Sequence, residues 1–186
     1  MRAFLTLVLG AAVCVALAPS TLIVPAQADP AYTADKVIDI FVKDKAAVEA
    51  AKASALRRSI CVGTAADCPA APVPSVTRFD LLVNFEFDSD KLTQAATANL
   101  DQFAKALRDP KLKGMKFEID GHTDATGAEM YNLGLSERRA RAVVSYLAAQ
   151  GIDAADLDAK GFGKTKPRVA DPYSPENRRV ETHIID

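Results

Sequence analysis

A run of polar residues at positions 121–127, Gly-His-Thr-Asp-Ala-Thr-Gly, is the part of the sequence best suited to hold a ligand. It directly follows the alternating apolar residues of 115–121, which predict a strand. In α/β folds, binding groups commonly lie in the loops that follow strands. The sequence therefore predicts a candidate site at the end of this strand.

Asp124, in this run, and Arg139, on the following predicted helix, are the two charges of interest. If they face one shallow pocket, they suit a zwitterion, because an aspartate accepts hydrogen bonds from an ammonium and an arginine binds a carboxylate through its planar fork. Spacing alone favours a simpler interpretation, in which the two charges are solvated or form an ordinary ion pair.

Catalysis and metal binding are the alternatives for the same residues. His122 beside Asp124 could be an acid–base pair, but a hydrolase also needs a nucleophile, a metal set or paired acids. The only other histidine, His183, falls in the last predicted strand. Asp120, His122 and Asp124 alternate on one short stretch without further His or Cys support, which disfavours a metal site. We therefore expect no catalytic residues, no metal and no cofactor.

The elements that position these residues follow a regular order from Phe79 onward. Apolar periodicity predicts strands at 79–87, 115–121, 157–162 and 179–185, and helices at 93–107 and 128–149. This β-α-β-α-β-β order predicts an α/β fold, a mixed sheet with helices on one face.

A short helical segment is predicted ahead of this domain, at residues 33–58. It could pack on the main domain or on a partner, and the sequence leaves both open. Three prolines within residues 69–74 disfavour helix and strand. We therefore divide the mature chain into a helical segment at 29–60, a Cys/Pro-rich linker at 61–78 and a binding domain at 79–186.

The first 28 residues have the features of a secretory signal peptide. Arg2 precedes an apolar run from Ala3 to Ala18, and Ala26-Gln27-Ala28 provides a small-x-small cleavage site. The run is shorter than the roughly 20 residues that span a bilayer, so we expect an exported mature chain without a transmembrane span. An uncleaved anchor is the alternative.

The predicted export determines which cysteines remain in the mature chain, and the balance of charged residues bears on the class of partner. Cleavage removes Cys14 and leaves Cys61 and Cys68, an even pair that suggests a disulfide in an oxidising compartment, with free thiols as the alternative. The 23 basic and 24 acidic residues nearly balance. Without a basic excess, nucleic acid is not an expected partner.

Four ordered motifs carry a resemblance to a known family. They are Asn-Phe-Glu-Phe-Asp-Ser-Asp-Lys-Leu at 84–92, the stretch 121–140, Gly-Phe-Gly at 161–163 with Lys166-Pro167, and Asn-Arg-Arg-Val-Glu at 177–181. Together they resemble the OmpA-like C-terminal domain family over about residues 79–186. The resemblance implies the mixed α/β fold and non-covalent binding of peptidoglycan through the diaminopimelate of its stem peptide.

The resemblance also implies roles for individual residues. Asp124 is similar to the family's ligand-binding aspartate and Arg139 to its arginine partner. Asn132 is implied as a supporting polar contact, Asp88 as a neighbour of the pocket, and Thr123 as a backbone contact to the ligand. For Arg178 and Arg179, a place at the pocket rim and a structural role are equally open.

The expected function is that of a periplasmic or outer-membrane-associated protein that links the cell wall to the envelope. The alternative is an envelope adaptor whose residues 33–58 dock on a partner protein, with weak or no peptidoglycan binding.

Overall fold

A computed structural model describes residues 29–58, 77–86 and 88–185, without the side chains of 54–58. The predicted signal peptide, Cys61, Cys68 and most of the predicted linker lie outside the described residues. The signal, the disulfide and the domain boundaries therefore stay predictions.

The described part of the chain contains three long helices and a four-stranded sheet. In chain order the elements are α1 (Ala34–Arg58), β1 (Phe79–Asp80), α2 (Gln94–Leu107), β2 (Lys116–His122), α3 (Glu129–Ala149), β3 (Leu157–Gly163) and β4 (Val180–Ile185), with single 3₁₀ turns at Pro110–Leu112, Ala154–Asp156 and Pro175–Asn177. The strands lie in the order β1-β4-β2-β3. Only β2 and β3 are parallel, so the sheet is mixed, and the predicted fold class is confirmed.

The first strand is much shorter than predicted, since regular pairing ends at Asp80 instead of continuing through 79–87. The Asp80 carboxylate accepts a hydrogen bond from the N–H of Leu82 at 2.9 Å, and Leu82 has a φ of +49°. This left-handed residue turns the chain out of the extended conformation. Farther on, Phe85 forms an isolated antiparallel bridge with Leu92.

An aromatic cluster joins α1, α2 and the sheet. The Phe41 ring of α1 lies 5.1 Å from the Phe117 ring of β2, and the Phe103 ring of α2 lies 6.1 Å from Phe117. All three side chains are buried. The N-terminal part of α1 therefore packs on its own domain, one of the two alternatives that the sequence left open. Beyond Phe41, from Val42 to Ala53, the side chains of α1 are exposed or half-buried.

Two strand glycines let α3 lie directly on the sheet. A Cβ at Gly121 would lie 2.2 Å from the Ser136 carbonyl oxygen, and a Cβ at Gly161 would lie 2.6 Å from the Glu137 nitrogen. Ser136 Oγ accepts a hydrogen bond from the N–H of Gly163 at 2.8 Å. This contact fixes α3 relative to the ends of β2 and β3, where the predicted site lies.

In the described part of the chain, no helix combines the length and the apolar character needed to cross a membrane.

We predict that Phe41→Ala lowers the free energy of unfolding by about 3–5 kcal/mol, because it removes a buried ring from the centre of the core. The matched control is Val42→Ala, at an exposed neighbour on the same helix, which should cost about 0.5 kcal/mol or less. Urea unfolding followed by circular dichroism measures both changes. Equal stability of the two variants would show that α1 is not part of the core.

Candidate ligand-binding site

The polar loop after β2 is anchored to two other parts of the chain. The N–H of Thr123 donates to the Gly163 carbonyl at 2.9 Å, and the N–H of Ala125 donates to the Pro172 carbonyl at 2.8 Å. The loop is thus held between the end of β3 and the connection that leads to β4, instead of projecting freely into solvent.

Asp124 is buried, with 9% of its surface exposed, and each of its carboxylate oxygens accepts a hydrogen bond. One oxygen accepts the N–H of Thr126 at 3.0 Å, and the other accepts a nitrogen of Arg178 at 2.7 Å. Burial alone would raise the pKa of Asp124, but the hydrogen bonds from Arg178 and Thr126 outweigh it and lower this pKa. Asp124 is therefore a carboxylate at neutral pH.

Arg139 lies half-buried on the side of α3 that faces the 85–92 segment. Its Nε donates to the Ser89 carbonyl at 3.0 Å, and its Cζ lies 4.9 Å from the centre of the Phe85 ring. Burial, followed by the neighbouring charge of Arg178, lowers the pKa of Arg139. No carboxylate of the described residues lies within ion-pair distance of Arg139, although Asp88 and Asp124 are near enough to act on it electrostatically.

Asp88 and Tyr131 form the exposed edge of the site. Asp88 has a φ of +48°, a strained conformation for a residue other than glycine, and its carboxylate accepts a hydrogen bond from the Tyr131 hydroxyl. Strain of this kind is concentrated at functional sites. Asp88 thus lies beside the site, close enough to Arg139 to influence its charge.

Thr123 within the loop and Asn132 at the start of α3 are both buried. The Asn132 amide donates to the Thr126 carbonyl at 2.8 Å, which ties the start of α3 to the loop. The Thr123 hydroxyl has no hydrogen-bond partner among the described residues, and its N–H already donates to Gly163. In this structure the amide of Asn132 and the backbone N–H of Thr123 therefore shape the loop.

A basic cavity of about 380 Å³ adjoins Arg139. Its lining residues are Val83, Asn84, Phe85, His122, Arg139, Pro175, Arg178 and Arg179. Asp124 does not line the cavity, but its hydrogen-bond partner Arg178 does. The site is therefore a cluster of guanidinium groups with one buried carboxylate at its edge.

His122 is not arranged as a partner of Asp124. Its ring stacks on Phe162 with centres 5.4 Å apart, and neither ring nitrogen has a hydrogen-bond partner among the described residues. The nearest carboxylate oxygen belongs to Glu181, 3.8 Å from Nε2. Burial lowers the pKa of His122 to about 4, so the ring is neutral at physiological pH. This geometry does not support the acid–base pair considered from the sequence.

Comparison with known proteins decides the family. The model of the OmpA family matches residues 84–181, more than half of the chain. The chain belongs to the OmpA family. The matched segment contains Asp88, Asp124, Arg139 and Arg178.

Named relatives match half of the chain or more. The peptidoglycan-associated lipoprotein of Pseudomonas aeruginosa is 43% identical over 101 residues, which cover 52% of this chain and 58% of the relative. Outer membrane protein A of Shigella flexneri is 40% identical over 120 residues, 62% of this chain and 34% of the relative. The chain therefore spans only about a third to three fifths of the length of these relatives.

A solved structure agrees with the OmpA fold. The crystal structure of the peptidoglycan-associated lipoprotein from Burkholderia pseudomallei is 32% identical, covers 55% of this chain and 88% of its own, and has a TM-score of 0.50.

The structure brings Asp124, Arg139, Asp88, Asn132 and Thr123 into one region. Its main addition is Arg178, which contacts Asp124 directly although 54 positions separate them in sequence. The Asn-Arg-Arg motif at 177–179 was the only sequence signal for this contact, and it did not decide between a pocket role and a structural one.

We predict that His122 makes the OmpA domain less stable as the pH falls from about 6.5 towards 4. Its folded pKa lies below its unfolded value of 6.5, so the unfolded chain binds more protons in this window. The contribution of His122 to the free energy of unfolding is fully present above pH 6.5. Below that pH it falls by at most about 1.4 kcal/mol for each unit of decrease.

The comparison variant is His122→Phe, which keeps an aromatic ring against Phe162 and cannot titrate. Urea unfolding at pH 7.5 and 4.5 should show a smaller loss in the variant than in the wild type. The same loss in both proteins would show that His122 is not the titrating group.

Proposed function

We propose that this protein binds peptidoglycan non-covalently by holding the diaminopimelate of the stem peptide between Asp124 and Arg139. The observation that carries the proposal is the pair of opposite charges at one site, an ionised, buried carboxylate and a half-buried guanidinium that has no carboxylate partner among the described residues. The names of the peptidoglycan-associated relatives support this ligand.

The free end of diaminopimelate carries one ammonium and one carboxylate, and the site offers a complement to each. The ligand ammonium would approach the Asp124 carboxylate, which Arg178 already contacts. The ligand carboxylate would meet Arg139, whose remaining N–H groups can form charge-assisted hydrogen bonds. Arg139, which has no carboxylate partner among the described residues, would then gain one on binding. This favours a zwitterion over a simple cation as the ligand.

Arg178 gives this recognition a second basic group. Its guanidinium is half exposed and lies at the junction of Asp124 and the basic cavity. When an ammonium binds Asp124, Arg178 can share that carboxylate or turn towards the ligand carboxylate. Either arrangement keeps Asp124 paired, so the pocket need not leave a buried charge uncompensated.

Binding without catalysis is part of the proposal. The site's only histidine is buried, neutral and stacked on Phe162, and the relatives are named for association with peptidoglycan and the outer membrane. We infer a periplasmic protein that links the cell wall to the envelope.

An adaptor role through α1 is a second candidate. The side chains between Val42 and Ala53 extend beyond the aromatic core and remain exposed or half-buried. This surface is available to an envelope protein, and such docking is compatible with peptidoglycan binding.

We predict that Asp124→Asn and Arg139→Gln each lower the affinity for purified sacculi by about 10- to 100-fold. The change is measured from the fraction of protein that sediments with the sacculi. The expected loss corresponds to one charged hydrogen-bonded contact, about 1.5–3 kcal/mol. Arg138→Gln is the matched control, since it changes an adjacent, exposed arginine of the same helix and should bind like the wild type.

Sacculi of two compositions test the ligand itself. In lysine-type peptidoglycan the ammonium is present and the terminal carboxylate is absent, so binding should fall for the wild type and change little for Arg139→Gln. Wild-type sedimentation of both site variants, with circular dichroism confirming their fold, would contradict the proposal.

A further inference from the structure

The face of the sheet opposite the helices carries a cluster of buried polar groups that the proposed pocket does not use. We propose that Glu118, Asp120 and His183 on this face form a binding site for a divalent transition metal of the Zn²⁺ class. The inference is independent of peptidoglycan binding.

Strand geometry brings these three residues together. Glu118 and Asp120 are two positions apart on β2, so both side chains point to the same face. Glu118 is paired with His183 of β4 in the antiparallel register. The His183 Nε2 lies 3.9 Å from Glu118 Oε1, and its Nδ1 lies 3.5 Å from Asp120 Oδ2. One ligand atom from each residue lies within 4.8 Å of the others.

Two side-chain atoms of this cluster have no hydrogen-bond partner among the described residues. Asp120 is fully buried, and its Oδ1 has no hydrogen-bond partner among the described residues; the same holds for Nδ1 of His183. Leaving such an atom unsatisfied is unfavourable, because burial removes its hydrogen bonds to water. A cation bound by Asp120 and His183 would satisfy both atoms at once.

Two basic residues each bind one oxygen of a carboxylate in this cluster. Lys160 binds Glu118 Oε2, and Arg78 binds Asp120 Oδ2. These contacts orient the carboxylates and leave Glu118 Oε1 and Asp120 Oδ1 for a ligand, as outer-shell hydrogen bonds do in metal sites. Their positive charges also oppose a cation, so we expect moderate affinity and not the tight binding of a structural zinc centre.

The donor set selects the class of metal. Two carboxylate oxygens and one imidazole nitrogen match ligands that Zn²⁺ accepts, and they leave room for water in the fourth position. In the sequence, Asp120, His122 and Asp124 alternate without further His or Cys support, which disfavours a metal site there. The fold instead brings together Glu118, Asp120 and His183, because His183 of β4 is paired with Glu118 in the sheet.

The test uses the full chain with Cys14, Cys61 and Cys68 replaced by serine, so that thiols cannot bind the metal. After removal of metal with EDTA, Co²⁺ is added as a spectroscopic probe and Zn²⁺ is titrated by calorimetry. We expect one equivalent to bind, with visible Co²⁺ absorption that Zn²⁺ abolishes.

Variants separate this site from incidental binding. His183→Ala and Glu118→Gln should each weaken Zn²⁺ binding at least tenfold, whereas Glu86→Gln, at an exposed carboxylate, should leave it unchanged. Circular dichroism checks the fold, and two separate variants allow for one that fails to fold. No saturable binding by the parent chain, or equal binding by a folded His183→Ala variant, would overturn the proposal.

Discussion

The close contact between α3 and the sheet is the constraint on which the site depends. At Gly121 a side chain would overlap the backbone of Ser136, at a distance of 2.2 Å. Asp124 follows Gly121 by three residues, and Arg139 follows Ser136 by three. The contact that lets the helix lie on the strand therefore also sets how far apart the two charges stand. A larger residue at Gly121 would displace both the packing and the charge pair.

Asp124 shows how local and distant contacts combine at this site. The loop itself supplies the N–H of Thr126, while the chain 54 residues later supplies Arg178. Burial favours the protonated form of Asp124, but these hydrogen bonds outweigh it, so the pKa of Asp124 is lowered. The charge at the site is thus a product of the complete domain. The near-neutral net charge of the chain, −1, is consistent with recognition by a few placed groups instead of a broad field.

Sequence periodicity predicted the order of the elements and most of their bounds, because α2, α3 and the last three strands each bury a regular apolar face. It failed at β1, where the Asp80 carboxylate accepts a hydrogen bond from the N–H of Leu82 and the left-handed conformation of Leu82 ends the pairing. Periodicity did not decide whether α1 packs on its own domain or on a partner, because an apolar stripe on a helix does not identify the surface that it contacts. The motifs named Asp124 and Arg139, but the contact of Arg178 depends on tertiary structure and had no decisive local signal.

Recognition of a zwitterion by Asp124 and Arg139 can be measured by titrating the isotope-labelled protein with free diaminopimelate and following its nuclear magnetic resonance spectrum. We expect saturable shifts at the amides of residues 123–127 and at the side-chain Nε of Arg139, and weaker shifts when lysine replaces diaminopimelate. Shifts confined to other parts of the domain, or equal responses to both compounds, would contradict recognition of a zwitterion by Asp124 and Arg139.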